Sequence, residues 1–280
     1  MKKIFLLIFL FSSLFSHSQH DKAHDIFSKM MKAMDNVQTC SFVVDVNERI
    51  KGVMKHDEYV IKLNAKPYKV YVYSIIPNPG AEALLIKGEN HEKAVINPNR
   101  FPIPTLNLSP YHNLLRRNHQ YTICHFGFEY ISDILNGYMK KFGETFYSYM
   151  YPDADVTWKG KSYYQLVIEN KNFGYENYTV KPGENLVKIG EKLIVNDYMI
   201  LEANPHLKNY DDVKPGQVIK VPNSFGKKII FYVDKNSFLP MVQIIYDDKG
   251  LYGRVEFSSF VLNPVFTKDD FSKENKKYGF

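Results

Sequence analysis

Cysteine is almost missing from this chain of 280 residues. Cys40 and Cys124 are the only two, which excludes a disulfide-dense scaffold and a cysteine-rich zinc fold. They allow at most one bridge, whose closure would stabilise by a few kcal/mol. Cys40 also lies in the apolar run Thr39-Cys40-Ser41-Phe42-Val43-Val44, where a buried thiol fits equally well. Tryptophan occurs once, at Trp158, against 20 Phe and 21 Tyr. That bias favours sheet, because flat rings pack well on a pleated, half-buried surface. Beyond the N-terminus no stretch approaches the ~20 apolar residues of a spanning helix. No segment concentrates Lys or Arg in one block, and the densest spot is the pair Arg116-Arg117, so nucleic acid is not an expected partner.

Catalytic signatures are missing as well. There is no G-x-S-x-G and no H-E-x-x-H, since His91-Glu92 lacks a second His four residues on. His119, Cys124 and His125 lie close together, but their spacing matches no metal site. The acid pairs Asp247-Asp248 and Asp269-Asp270 sit in turn-like sequence, where solvation accounts for them. No catalytic residue, metal ligand or cofactor is therefore expected.

What is present begins with a leader. Lys2 and Lys3 precede the apolar run from Ile4 to Phe15, and Ser16 and Ser18 are small residues before Gln19. This reads as a secretory signal peptide over 1–18, and the mature chain is expected to be exported, most simply to the periplasm. Its loss removes two lysines and no acids, leaving 34 basic against 30 acidic residues.

The mature chain opens on an amphipathic helix, with Ile26, Phe27, Met30, Met31 and Met34 on one face. From Thr39 the period shortens. Segments near 40–47, 57–63, 68–75, 82–87 and 93–97 alternate and are separated by Lys, Asn, Gly and Pro, the signature of an antiparallel meander. Residues 98–123 show no period and read as loop. Phe128, Ile131, Ile134, Leu135, Tyr138 and Phe142 mark a second helix over about 127–147. Strands resume at 156–158 and 163–168, and again at 228–233, 241–246 and 254–261.

Between these last two groups the pattern follows a different logic. Tyr178-Thr179-Val180 is a short strand that turns at Pro182-Gly183. Asn185 can cap a helix carrying Leu186, Ile189 and Leu193, because its side chain accepts from amides of the next turn. Asn196 can cap a second helix, which Asn204-Pro205 ends, and Pro215-Gly216 turns into a strand from Gln217 to Val221. The order is βααβ, placed at a hairpin tip where close chain ends tolerate insertion. Its six lysines balance six acids, and its turns are self-contained. The expectation is a small independent core, few contacts with the sheet, and hinges at 171–174 and 223–226.

Residues 178–222 resemble a LysM domain through Tyr178-Thr179-Val180, Pro182-Gly183, the Leu186/Ile189 helix, Asn204-Pro205 and the closing Pro215 to Pro222. The family's Gly-Asp-Thr turn is here Gly183-Glu184-Asn185. The resemblance implies binding of N-acetylglucosamine-containing glycan, which for an exported bacterial protein means peptidoglycan. It places the groove between Gly183, Glu184, Asn185 and Leu186 on one side and Asn204, Pro205, His206 and Leu207 on the other. Capping and packing explain Asn185, Asn204, Leu186 and Pro205 equally well.

The remainder, 19–177 and 223–280, resembles an exported bacterial family of unassigned function related to outer-membrane lipoprotein carriers (LolA-like). The resembling residues include Lys66-Pro67-Tyr68-Lys69-Val70-Tyr71, Gly80 to Leu85, Ile96-Asn97-Pro98, Leu106 to Pro110 and Leu262-Asn263-Pro264. It implies an α+β fold: a strongly curved antiparallel sheet, or half-barrel, with two lid helices, plus the inserted βααβ module. Such a concavity can hold a lipid or lipoprotein acyl chain, or its aromatics can fill it. The leading expectation is a non-enzymatic envelope protein tethered to peptidoglycan. The rivals are a lipid or lipoprotein carrier using LysM only for location, and a cell-wall hydrolase drawing on Glu82, His119 and His125.

Overall fold

Alternation in the sequence becomes inward and outward faces of a sheet. Along β1 (Thr39–Ile50), Cys40, Phe42, Val44 and Val46 are buried, while the residues between them face outward and are half-buried. Each such side chain contributes about 2 kcal/mol by leaving water. In the computed structural model, which describes residues 21–280, β2 (Val53–Asn64), β3 (Lys69–Ile76), β4 (Glu82–Ile86), β5 (Ala94–Asn97) and β6 (Leu106–Leu108) follow β1 as a meander. β7 (Met150–Trp158), β8 (Lys161–Glu169), β11 (Lys228–Asp234), β12 (Pro240–Asp247) and β13 (Gly250–Leu262) form the other half. β1 pairs with β13 and joins them into one 11-stranded antiparallel sheet that leaves β6 and β7 as open edges. The leader at 1–18 lies outside the described residues.

The helix over 21–35, α1, and α3 (Glu129–Phe142) share one buried cluster with the inner face of the sheet. The expected end of α3 is shortened: Gly143 closes it at a positive φ, and a 3-10 segment runs on to Tyr149. The 98–123 segment is more ordered than its composition indicates. It holds β6, a single helical turn α2 (Asn113–Arg116) and a 3-10 turn capped by Thr122. Outside the sheet, the C-terminal segment is tied down by Tyr278 stacked on Tyr71 at 3.8 Å and by a Lys62–Asp270 ion pair of 2.7 Å. Among the described residues no helix is long and apolar enough to cross a membrane.

The insertion leaves β8 and β11 as neighbours, with Glu169 opposite Lys228. β9 (Tyr175–Thr179) and β10 (Val218–Pro222) form their own two-stranded sheet, flanked by α4 (Leu186–Leu193) and α5 (Asp197–Ala203). Both expected caps are present, Asn185 accepting from Lys188 N and Asn196 from Tyr198 N and Met199 N.

The module is joined to the rest of the chain by more than its two linkers. Leu186, Ile189, Val195, Met199 and Ile200 belong to the same buried cluster as the sheet and its helices. Arg116, almost fully buried, holds Asp197 through two bonds of 2.8 and 3.0 Å. Arg49 reaches Glu202 at 3.1 Å and also pairs with Asp247. Tyr252 Oη donates to Asn196 at 2.9 Å, and Lys51 N to Tyr198 Oη at 2.8 Å. The expected hinges are clamped to each other: Asn223 N donates to Gly174 O, and Asn223 Nδ2 to Asn172 O. Phe225 is buried at 1% exposure. The module thus has buried apolar residues of its own, such as Leu186, Ile189, Met199 and Ile219, and is tied to α2, α3 and the ends of β1 and β13 by side-chain bonds. One smaller expectation changes: Asp247 is a buried partner of Arg49 and not a solvated turn acid.

Candidate functional site

Two regions carry the sequence-predicted residues. The first is the rim of the module. Gly183 sits at φ +80 with open space where a side chain would project. Glu184 receives Tyr178 Oη at 2.9 Å, Lys181 N at 2.9 Å and Lys192 Nζ at 2.8 Å. These bonds, led by Lys192, pull its carboxyl down to about 2. Asn185 combines its capping role with a 2.8 Å bond from Nδ2 to Asp211. Leu186 is fully buried, and its amide donates to Tyr210 O at 2.9 Å. That bond draws the first strand–helix loop against the loop following α5.

On the other side, Asn204 is buried. Its Nδ2 donates to Ile200 O and Lys220 O, both at 2.7 Å, and its Oδ1 accepts from Lys220 N. Pro205 and His206 are exposed, with a His206 ring nitrogen 3.3 Å from Gln217 Nε2, while Leu207 is buried. Leu186, Asn204 and Leu207 therefore build the fold. Gly183, Pro205 and His206, with the half-buried Glu184 and Asn185, make the accessible rim.

The second region lies inside the half-barrel. A cavity of about 280 Å³ separates the inner face of the sheet from the 110–131 segment. Val44, Val46, Val72, Phe126, Ile131 and Phe257 give it apolar walls. One end is polar: His119 Nδ1 lies 3.2 Å from Asp57 Oδ2 and 3.8 Å from Glu48 Oε2. Glu48 Oε2 also accepts from Gln120 N at 3.2 Å. Burial opposes a charged His119, but hydrogen bonds to Asp57 and Glu48 outweigh it and push the imidazole up to about 9. Burial raises the neighbouring Tyr59 phenol, and Asp57 and Glu48 raise it further. The ligand atoms of Glu48, Asp57 and His119 lie within 4.8 Å of one another, a spacing that suits a cation.

Glu82, His119 and His125 all line this cavity, yet each has its own partners. Glu82 accepts from Tyr71 Oη at 2.6 Å and from Gly279 N. His125 accepts from Thr122 N through Nδ1 and stacks on Tyr130 at 3.8 Å. Burial, helped by the charge of Arg116, pulls its imidazole down to about 3, so it is neutral. Sequence reasoning missed Glu48 and Asp57. The available signal was an acid at an inward position of each strand, where alternation calls for an apolar residue. Cys40 and Cys124 are both free thiols.

Comparison with known proteins follows these divisions. Residues 37–173 match a family described as a protein of unknown function (DUF1571), and residues 178–222 match the LysM domain. No curated protein matches the chain. Among solved structures, the lipoprotein LppX of Mycobacterium tuberculosis is 9% identical, with 88% of this chain and 98% of that one covered at a TM-score of 0.41. A LolA superfamily protein from Nitrosomonas europaea is 10% identical over 90% and 98% of the two chains, with a TM-score of 0.34. LprF from Mycobacterium bovis is 11% identical over 88% and 95%, with a TM-score of 0.40. The chain thus carries a LysM domain at residues 178–222, set into a large open antiparallel sheet.

Proposed function

We propose that this is an exported, periplasmic binding protein of the cell envelope, held to peptidoglycan through its LysM domain. The observation that carries the reading is the LysM match at 178–222, whose expected glycan-facing loops lie side by side through the Leu186–Tyr210 bond. Gly183, Glu184 and Asn185 line one lip, with Pro205 and His206 on the other. Exposed backbone beside a bare glycine suits the acetamide of an N-acetyl sugar, and the Pro205 ring offers an apolar surface to its methyl group. One shallow module binds weakly, so retention on a polymer draws on several engaged copies.

Sedimentation with insoluble peptidoglycan tests this reading. Wild type should pellet with the polymer, and Pro205→Glu combined with His206→Glu should stay in solution with an unchanged melting temperature. Equal pelleting of the two would remove the assignment.

The cavity supports a second role, the holding of a lipid or lipoprotein acyl chain between the sheet and the 110–131 segment. Its walls are apolar and its candidate catalytic side chains are occupied by internal partners, which favours binding over hydrolysis. Mass spectrometry of organic extracts from purified mature protein should detect a co-purifying amphiphile. Release of soluble fragments from labelled sacculi would instead favour the hydrolase reading.

A further inference from the structure

The polar end of the cavity carries information about the ligand that apolar walls cannot. Glu48 and Asp57 are buried at 2% and 5% exposure, and two carboxylates face a single imidazole. Among the described residues, the nearby buried guanidiniums are engaged elsewhere, Arg49 with Asp247 and Glu202, and Arg116 with Asp197. Lys55 stands opposite Glu48 on the β1–β2 ladder, but it is exposed and outside ion-pair range of both acids. A second, independent feature lies on the same inner face. Ser74, paired with Tyr59 across the β2–β3 ladder, is 6% exposed and lines the cavity. Among the described residues its Oγ has no hydrogen-bond partner. A buried hydroxyl without a partner and a buried excess of negative charge are each costly, and a ligand supplying both complements removes both costs.

We propose that the cavity binds an amphiphile with a short apolar body and a cationic nitrogen head, the head seated against Glu48 and Asp57. The inference rests on reading the cavity as an apolar-ligand site and specifies the head group that site selects. The apolar body lies along Val44, Val46, Val72 and Phe257, and Ser74 Oγ is free to bond a polar atom of the ligand. An ammonium brings the charge at this end to balance. A carboxylate head adds a third negative group to a buried cluster, which disfavours it strongly.

Isothermal titration of the full mature chain with decylamine, decanol and decanoate, at pH 7 with chelator present, reads this directly. Decylamine should bind at least tenfold more tightly than decanoate, with decanol between them. Glu48→Gln removes one negative charge and should reduce the amine preference severalfold. His119→Gln removes the local cation and should increase it. These opposite responses cannot both come from loss of folding, which melting curves report separately. Equal binding of all three probes overturns the head-group assignment and leaves the apolar site standing. Binding of none overturns both. A decanoate preference that appears with zinc and disappears with chelator overturns the proposal in favour of a metal ion.

Discussion

The hydroxyl of Tyr138 donates to the carbonyl oxygen of Ile194 at 2.8 Å and accepts from the backbone N–H of Phe225. One side chain on α3 thereby satisfies the C-terminus of α4 and the segment that leads out of the module. Ile194 holds a left-handed conformation at φ 60, uncommon for a β-branched residue, and its side chain packs where a Cβ on Gly137 would stand. Glycine inside a helix costs about 1 kcal/mol relative to alanine. Here it makes the room in which Ile194 sits.

Replacing Tyr138 with Phe keeps the ring and leaves two buried backbone groups without a partner. The expected loss is about 1–3 kcal/mol of unfolding free energy, read from urea denaturation. A change within error of zero would mean that water replaces the hydroxyl at both positions.

Cutting the Arg116–Asp197 pair should be costlier. Asp197→Asn leaves the Arg116 guanidinium buried over the Tyr210 ring without its counter-charge. Removing one partner of such a pair typically costs about 3–5 kcal/mol. Because the pair joins α2 to the first turn of α5, the module and the sheet of the wild type should unfold in one transition. Trp158 fluorescence and amide exchange at α4 would report on the two parts. Separate midpoints in wild type would restore an independently folded module.

The thiols give a chemical check on the same packing. Burial pushes Cys40 up to about 12 and raises Cys124 as well, so neither is a ready nucleophile. Native protein purified without reductant should react slowly at Cys124 and not at Cys40, and both should react after denaturation. A mobility shift on reduction would reveal a bridge instead.

Much of this architecture was legible in the chain. Alternation placed the β1 to β5 meander, and the caps at Asn185 and Asn196 fixed both module helices, because these signals are local. The insertion itself was visible as a change of period. Its docking was not. Six lysines against six acids gave no sign of it, yet Asp197 and Glu202 answer Arg116 and Arg49 from distant parts of the chain. Nothing within a few residues of Arg116 distinguishes it from the neighbouring, exposed Arg117. The LysM pattern picked out both loops, whose exposure it could not give: Leu186, Asn204 and Leu207 are buried, while Gly183, Pro205 and His206 are exposed. The acid end of the cavity depends on which face of β1 and β2 Glu48 and Asp57 occupy, and on a loop returning from residue 119.

His119 and His125 should bend the pH dependence of stability in opposite directions. His119 is raised from 6.5 to about 9, so the folded state binds its proton more tightly than the unfolded state. Its contribution is complete below about pH 6.5 and is lost as pH rises through about 9. His125 is lowered from 6.5 to about 3, so folding favours its neutral form. That contribution is complete above about pH 6.5 and is lost as pH falls toward about 3. Melting temperatures measured from pH 3 to 10 should therefore fall on both sides of neutrality. His119→Gln should flatten the alkaline limb selectively, because Gln does not titrate. His125→Phe keeps an aromatic face against Tyr130 and should flatten the acid limb, while losing some stability throughout because Thr122 N loses its acceptor. If either variant reproduces the wild-type profile after a uniform offset, that histidine is not the group whose proton couples to folding.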